Sequence, residues 1–183
     1  MRTFLQVIEH DESAQLTAAT RALYDVGANT ARFETAPLHF EGGRHLSFEL
    51  VGEPAAGALM VRELELAPGD HLLRCDRVDF PPGGEAFLHT HQGPGLRVLL
   101  FGFIRIETGG AAHEYGPGEP WFETGPDPVH ATTHADEPSA FVRCMVLPRA
   151  LLGSPSILYA RDEDRDRPKS QRYTVFLDEP VHL

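Results

Sequence analysis

Two histidines separated by one residue, His89 and His91, lie in "GGEAFLHTHQGPGLRVLLFG" at residues 83–102. They carry the strongest chemical signal in the chain. Side chains of a β-strand alternate between its two faces, so residues i and i+2 share one. Two neutral imidazoles on a rigid strand can reach one metal ion at about 2.0–2.1 Å, given one or two further donors from another strand. On a solvated face the same pair is only two polar residues. If the pair faces inward, strand parity turns Gly95, Arg97 and Leu99 inward as well. An arginine inside a β-barrel needs a partner, because unpaired burial of a charge costs several kcal/mol. That partner is either the carboxylate of a bound molecule, gripped by both arms of the guanidinium, or an internal acid such as Glu123 or Glu85. Trp121 and Phe122 precede Glu123 in "PWFET" and either wall a pocket for a small organic ligand or fill the core.

The elements that must position these residues read mostly as strands. "TFLQVI" (3–8) looks like a short strand. "DESAQLTAATRALYDVG" is expected to be a helix, with Leu16, Ala19, Thr20 and Leu23 on one stripe, an acidic first turn and Gly27 as its stop. From residue 38 onward, short runs of strand character alternate with Gly/Pro-rich turns, as in "HLSFELVG", "HLLRCDRVDFPPGG" and "SAFVRCMVLP". With no βαβ alternation, this texture predicts an antiparallel sandwich or barrel. Gly102 splits "RVLLFGFIRIE", as at a bend or bulge. "YTVFL" (173–177) reads as the last strand, and the sign-alternating run Arg161–Arg167 reads as a solvated loop. The expected division is an N-terminal extension (1–37), a β-barrel (38–150) and a C-terminal extension (151–183).

Composition narrows the partners. The formal charge is −11 over 183 residues, so the surface repels phosphate backbones and nucleic acid is not an expected partner. No apolar run approaches the roughly 18 residues of a membrane span. The start is too short in apolar residues for a secretory leader, so the expected location is cytoplasmic. The two cysteines, Cys75 and Cys144, sit in apolar runs and read as buried reduced thiols. "TFLQVI" and "YTVFL" are apolar terminal strands whose edges can template pairing, so a homodimer is expected.

The glycines and histidines of residues 83–102, followed by "YGPGEPWFETGPDPVH" (115–130), resemble the cupin superfamily. Gly83, five residues, His89, Thr90, His91 and the closing Gly102 match the family's first motif, and the likeness covers about residues 58–148. It implies an all-β double-stranded β-helix, a jelly-roll cupin barrel, here with a short N-terminal helix and terminal strand extensions. It also implies one divalent transition metal (Fe, Ni, Zn or Mn) held by His89, His91 and a third histidine. The sequence departs from the pattern twice. Gly95 stands where the family carries an acidic ligand. Without a gap, Val129 rather than His130 falls on the third histidine's position, so an inserted residue or a bulge at Pro128 is needed to bring His130 in. The implied function is metal-dependent chemistry on a small, carboxylated organic molecule, dioxygenase-like, isomerising or hydrolytic, with Arg97, Trp121, Phe122 and Glu123 on the substrate side. The alternative is a sensor or carrier that binds a small molecule without chemistry. The fold alone does not choose between them.

Overall fold

The computed structural model describes residues 2–183. Its centre is eight antiparallel strands: β8 (Asp70–Phe80), β9 (Glu85–His91), β10 (Gly95–Phe101), β11 (Ile104–Thr108), β12 (Ala111–Tyr115), β13 (Pro120–Glu123), β14 (Val129–Thr133) and β15 (Ser139–Pro148). They divide into two facing sheets with orders β13-β10-β15-β8 and β12-β11-β14-β9. Apart from the β11–β12 hairpin, successive strands cross from one sheet to the other, as in the double Greek key of a jelly roll. β16 (Ile157–Tyr159) extends the second sheet beside β9, and β17 (Arg172–His182) extends the first beside β8.

The first sheet is covered on both faces. Val78, Leu99, Trp121 and Phe141 point into the barrel, while Leu73, Leu96, Val98, Val142 and Val146 point the other way. The outer set is buried by a further sheet, built from β1 (Phe4–His10), β3 (Thr20–Asp25), β4 (Thr30–Glu34), β6 (His45–Val51) and β7 (Met60–Glu63). Leu5, Val7, Tyr24, Leu46 and Phe48 of that sheet pack on it. A strand buried on both faces loses hydrophobic alternation. This is why "LRVLLF" and "SAFVRCMVLP" read as continuous apolar runs.

Two expectations are corrected here. The N-terminal helix is absent: its residues form β2 (Ala14–Leu16) and β3. β3 lies between β4 and β6, and it buries Ala22 and Tyr24 on one face and Leu23, with Leu16 and Phe40, on the other. The helical stripe was a coincidence of spacing, overruled by pairing with β6, which would otherwise expose an unpaired edge to the core. The expected break between residues 37 and 38 does not separate the sheets either. β6 and β7 pair with β1, and β5 (Leu38–Phe40) pairs with β2, so the chain enters the barrel only after residue 63. β1 sits between β6 and β7 and has no free edge, while β17 ends its sheet.

Gly102 has φ +79°, and a Cβ there would meet the Pro138 carbonyl oxygen at 2.4 Å. The crossing from β10 to β11 therefore requires glycine. Cys75 and Cys144 are buried free thiols directly opposite each other on β8 and β15. No helix of the described residues is long and apolar enough to cross a membrane.

Candidate functional site

His89 and His91 point into the barrel and are 5% and 4% exposed. Their Nε2 atoms stand 3.2 Å apart. His89 Nδ1 donates to the Phe87 carbonyl at 2.6 Å, so its Nε2 carries the lone pair. Arg143 Nη1 approaches His91 Nε2 at 3.3 Å. His91 Nδ1 is buried with no hydrogen-bond partner among the described residues. Burial lowers the pKa of His89. Burial, then the guanidiniums of Arg143 and Arg97, hold His91 well below the usual imidazole range. Both rings are therefore neutral near pH 7, the state that ligates metal.

The opposite sheet presents charged residues in cross-strand register. Arg97 lies directly across from Arg143, and Arg143 across from Asp76; one step along, Gly95 lies across from Glu123. Like charges facing each other are unfavourable, and each cation here has its own carboxylate. Arg143 grips Asp76 with Nε at 2.7 Å and Nη2 at 3.1 Å. Arg97, fully buried, places Nη2 2.7 Å from Glu123 Oε2 and donates through Nη1 to the Gly95 carbonyl. Desolvation brings the Arg97 pKa down to about 10 against the pull of Glu123, so the side chain stays charged at neutral pH. Trp121 Nε1 donates to Glu123 Oε1 at 3.0 Å. Glu123 Oε2 also lies 3.6 Å from His91 Nε2.

The cavity at the histidines is only about 20 Å³, bounded by His89, His91, Glu123, Arg143, Val129 and Tyr173. That admits an ion or one water molecule. A larger depression of about 700 Å³ lies at the barrel mouth, where His91, Phe122, Pro94 and Leu66 line it. Another, of about 430 Å³, is lined by Arg143, Tyr173, Arg74 and Ile157.

The structure thus gathers His89, His91, Arg97, Trp121 and Glu123 in one interior and leaves two expected residues outside it. His130 sits on the outer face of β14, with Nε2 2.8 Å from Glu85 Oε1 and Nδ1 3.7 Å from Glu107 Oε2. A register shift does occur between Val129 and Ala131, but it leaves Val129 opposite His89 and lining the cavity. The strand parity that excludes His130 from the histidine pair thus survives the bulge. Phe122 faces away from the barrel interior and lines the mouth, with Arg62 over its ring. Trp121 is core, stacked on Tyr115 at 4.9 Å and edge-on to Phe141. Sequence reasoning missed Asp76 and Arg143. A charged residue inside an otherwise apolar strand was the available signal, but its partner depends on a register that sequence does not show.

For a metal ion, the two imidazoles fit: two donors about 2.1 Å from one ion lie roughly 3.0–3.4 Å apart, and these stand at 3.2 Å. A third donor is not assembled, because among the described residues no three His, Cys, Asp or Glu side chains stand ready to share an ion.

The strand order is that of a jelly roll, with an inward HxH pair on its second strand. No family model and no curated protein matches the chain. Solved structures with which it shares overall shape include a cupin 2 conserved barrel domain protein from Leptotrichia buccalis, at 16% identity and TM-score 0.40, covering 80% of this chain and 87% of that one. A protein of unknown function of the DUF861 family from Pseudomonas syringae pv. tomato has 10% identity and TM-score 0.38, over 78% and 81% of the two chains. A conserved protein of unknown function from Pseudomonas aeruginosa has 15% identity and TM-score 0.36, over 80% and 72%.

The buried histidines make one property of this barrel testable without any ligand. Their pKa values are lower in the folded state than the ordinary 6.5. Below pH 6.5 the unfolded chain takes up protons that the folded chain refuses, so this part of the stability is complete above pH 6.5 and is lost as pH falls toward the folded-state values. Each histidine contributes up to about 1.4 kcal/mol per pH unit in that window. In metal-free buffer the wild-type melting temperature is expected to fall between pH 7 and pH 5 more steeply than that of a His89→Gln/His91→Gln variant. Parallel curves would show that the two rings do not resist protonation.

Proposed function

We propose that the protein is a cupin-like barrel that binds a divalent transition metal (Fe, Ni, Zn or Mn) on His89 and His91 and takes a small, carboxylated organic molecule at the barrel mouth. The observation that carries this reading is the convergence of two buried, neutral imidazole Nε2 atoms 3.2 Å apart, with the tautomer of His89 set by the Phe87 carbonyl. His89 Nε2 carries a lone pair and His91 Nε2 stands 3.2 Å from it, a spacing that suits a shared cation as well as an N–H···N hydrogen bond. A bound metal supplies Lewis acidity and open coordination positions. Arg97 does not anchor a ligand's carboxylate, because Glu123 already meets its charge. Phe122 and His91 form the part of the mouth that such a ligand meets first. Of the two terminal strands expected to template pairing, β17 ends its sheet and β1 does not, so the expected homodimer would pair through β17.

The alternative, a binding barrel without chemistry, is favoured by the small volume at the histidines, which admits no organic molecule beside an ion. Metal analysis of untagged protein is the decisive measurement. About one equivalent of Fe, Ni, Zn or Mn is expected in the wild type and none in a His89→Ala/His91→Ala variant. Wild-type protein that carries no metal, and binds none of these ions at micromolar concentration, would end the metal reading and leave the metal-free barrel.

A further inference from the structure

The depression of about 430 Å³ is a slot between the two sheets of the barrel, at the side where β16 and β17 extend them. Tyr173 and Val175 of β17 form one wall, and Ile157 of β16 with Pro155 and Ser156 before it forms the other. Arg143 lies between the slot and the histidine cavity and borders both. We propose that this slot binds an uncharged, largely apolar small molecule with one hydrogen-bond acceptor, of which an aromatic ketone is the simplest case. The inference goes beyond the metal reading and does not depend on it.

The walls stand without a ligand. Arg74 grips Asp178 through Nε at 3.1 Å and Nη2 at 2.6 Å, and it donates to the carbonyls of Ser154 and Leu151 at 2.7 and 2.8 Å. One buried side chain thus ties β8, β17 and the turn before β16 together, so little ordering is left for a ligand to impose. The charges are closed. Arg74 is met by Asp178 and Arg143 by Asp76, so a ligand carboxylate would be buried without a counter-ion. Hydrogen-bonding capacity remains. Of the five N–H groups of a guanidinium, Arg143 directs three to Asp76 and His91. Ser156 is buried, and its hydroxyl meets only the weak acceptor Met145 Sδ at 3.8 Å among the described residues. Both groups border the slot. Its apolar rim is left open to water, with Tyr173 37% and Val175 54% exposed in a chain of charge −11. An apolar rim around a few polar groups, at a volume within the range of about 300–1,000 Å³, marks a small-molecule site.

The test is fluorescence titration of metal-stripped protein with prodan, a neutral naphthyl ketone whose emission shifts to the blue in apolar surroundings. Wild type is compared with Val175→Trp, Ser156→Ala and Phe122→Ala. Val175→Trp lays a bulky ring across the slot from a half-exposed position, Ser156→Ala removes the hydroxyl, and Phe122→Ala alters the barrel mouth instead. Wild type is expected to show one saturable site at micromolar probe. Binding should weaken at least tenfold in Val175→Trp and about threefold in Ser156→Ala, with melting temperatures near wild type, and should be unchanged in Phe122→Ala. Acetophenone should displace the probe, and benzoate, the same ring with a charge, should not. Absence of saturable binding by the wild type, unchanged binding in either slot variant, or loss of binding in Phe122→Ala overturns the site. Displacement by benzoate as effective as by acetophenone overturns the uncharged class. No metal is present in these titrations, so each of these failures leaves the two-histidine reading to its own measurement.

Discussion

Arg143→Met is expected to cost about 3–5 kcal/mol of folding stability, among the largest effects of any single substitution in the barrel. The guanidinium is buried, grips Asp76 through two of its nitrogens and stands directly across the ladder from Arg97. Removing it leaves the Asp76 carboxylate, 2% exposed, inside the barrel without its counter-ion. The loss arises from that stranded charge and not from the worth of the pair itself. The companion variant shows this: Arg143→Met with Asp76→Leu replaces both ends by apolar groups and should recover most of the loss. Urea unfolding of the two single variants and the double variant gives the coupling energy. A double variant as unstable as the sum of the singles would mean that the Arg143–Asp76 contact is not the source of the effect. The same interior holds Arg97, Glu123, Asp76 and Arg143 as two cations and two anions, so single removals at Arg97 or Glu123 unbalance it in the same way.

Gly95→Glu is the second large effect. By family resemblance it restores a missing ligand, yet it is expected to prevent folding rather than to improve metal binding. The new Cβ would come within 2.6 Å of a backbone carbonyl oxygen on β15, and Met145 Cα would lie at 3.1 Å. These are backbone atoms of a central strand and cannot turn aside as a side-chain end can. Overpacking of a filled core costs about 1–3 kcal/mol even where rotamers adjust, and here the ladder between β10 and β15 has to separate. Gly95→Ala isolates the steric part. Its melting temperature should fall by several degrees, and Gly95→Glu should be recovered mainly as insoluble protein. Soluble Gly95→Glu with wild-type stability would show that β10 and β15 are not this close.

That the two histidines share one face was legible from strand parity alone, because period two leaves only two choices; the structure selects the inward one. The barrel was legible from the alternation of apolar runs and Gly/Pro turns, and the inward turn of Arg97 followed from the same parity. The register question at His130 was legible as a question. Its answer required the bulge in the β14–β9 ladder, which lies after Val129 and leaves that residue opposite His89. The N-terminal helix was misread because Leu16, Ala19, Thr20 and Leu23 satisfy a helical stripe, while nothing local announces β6 as the partner of β3.

By itself, the sequence determined the all-β class, the shared face of the two histidines and of Arg97, and the absence of an acidic side chain at position 95. Each of these follows from residue type and from a period that operates within one strand. Only the tertiary structure decided which anion Arg97 meets, that Asp76 and Arg143 share the interior, that His130 turns outward and that Glu123 stands opposite Gly95. Those are relations between strands far apart in the chain. They depend on register and on bulges, and a displacement of one residue moves a side chain from the cavity to the surface.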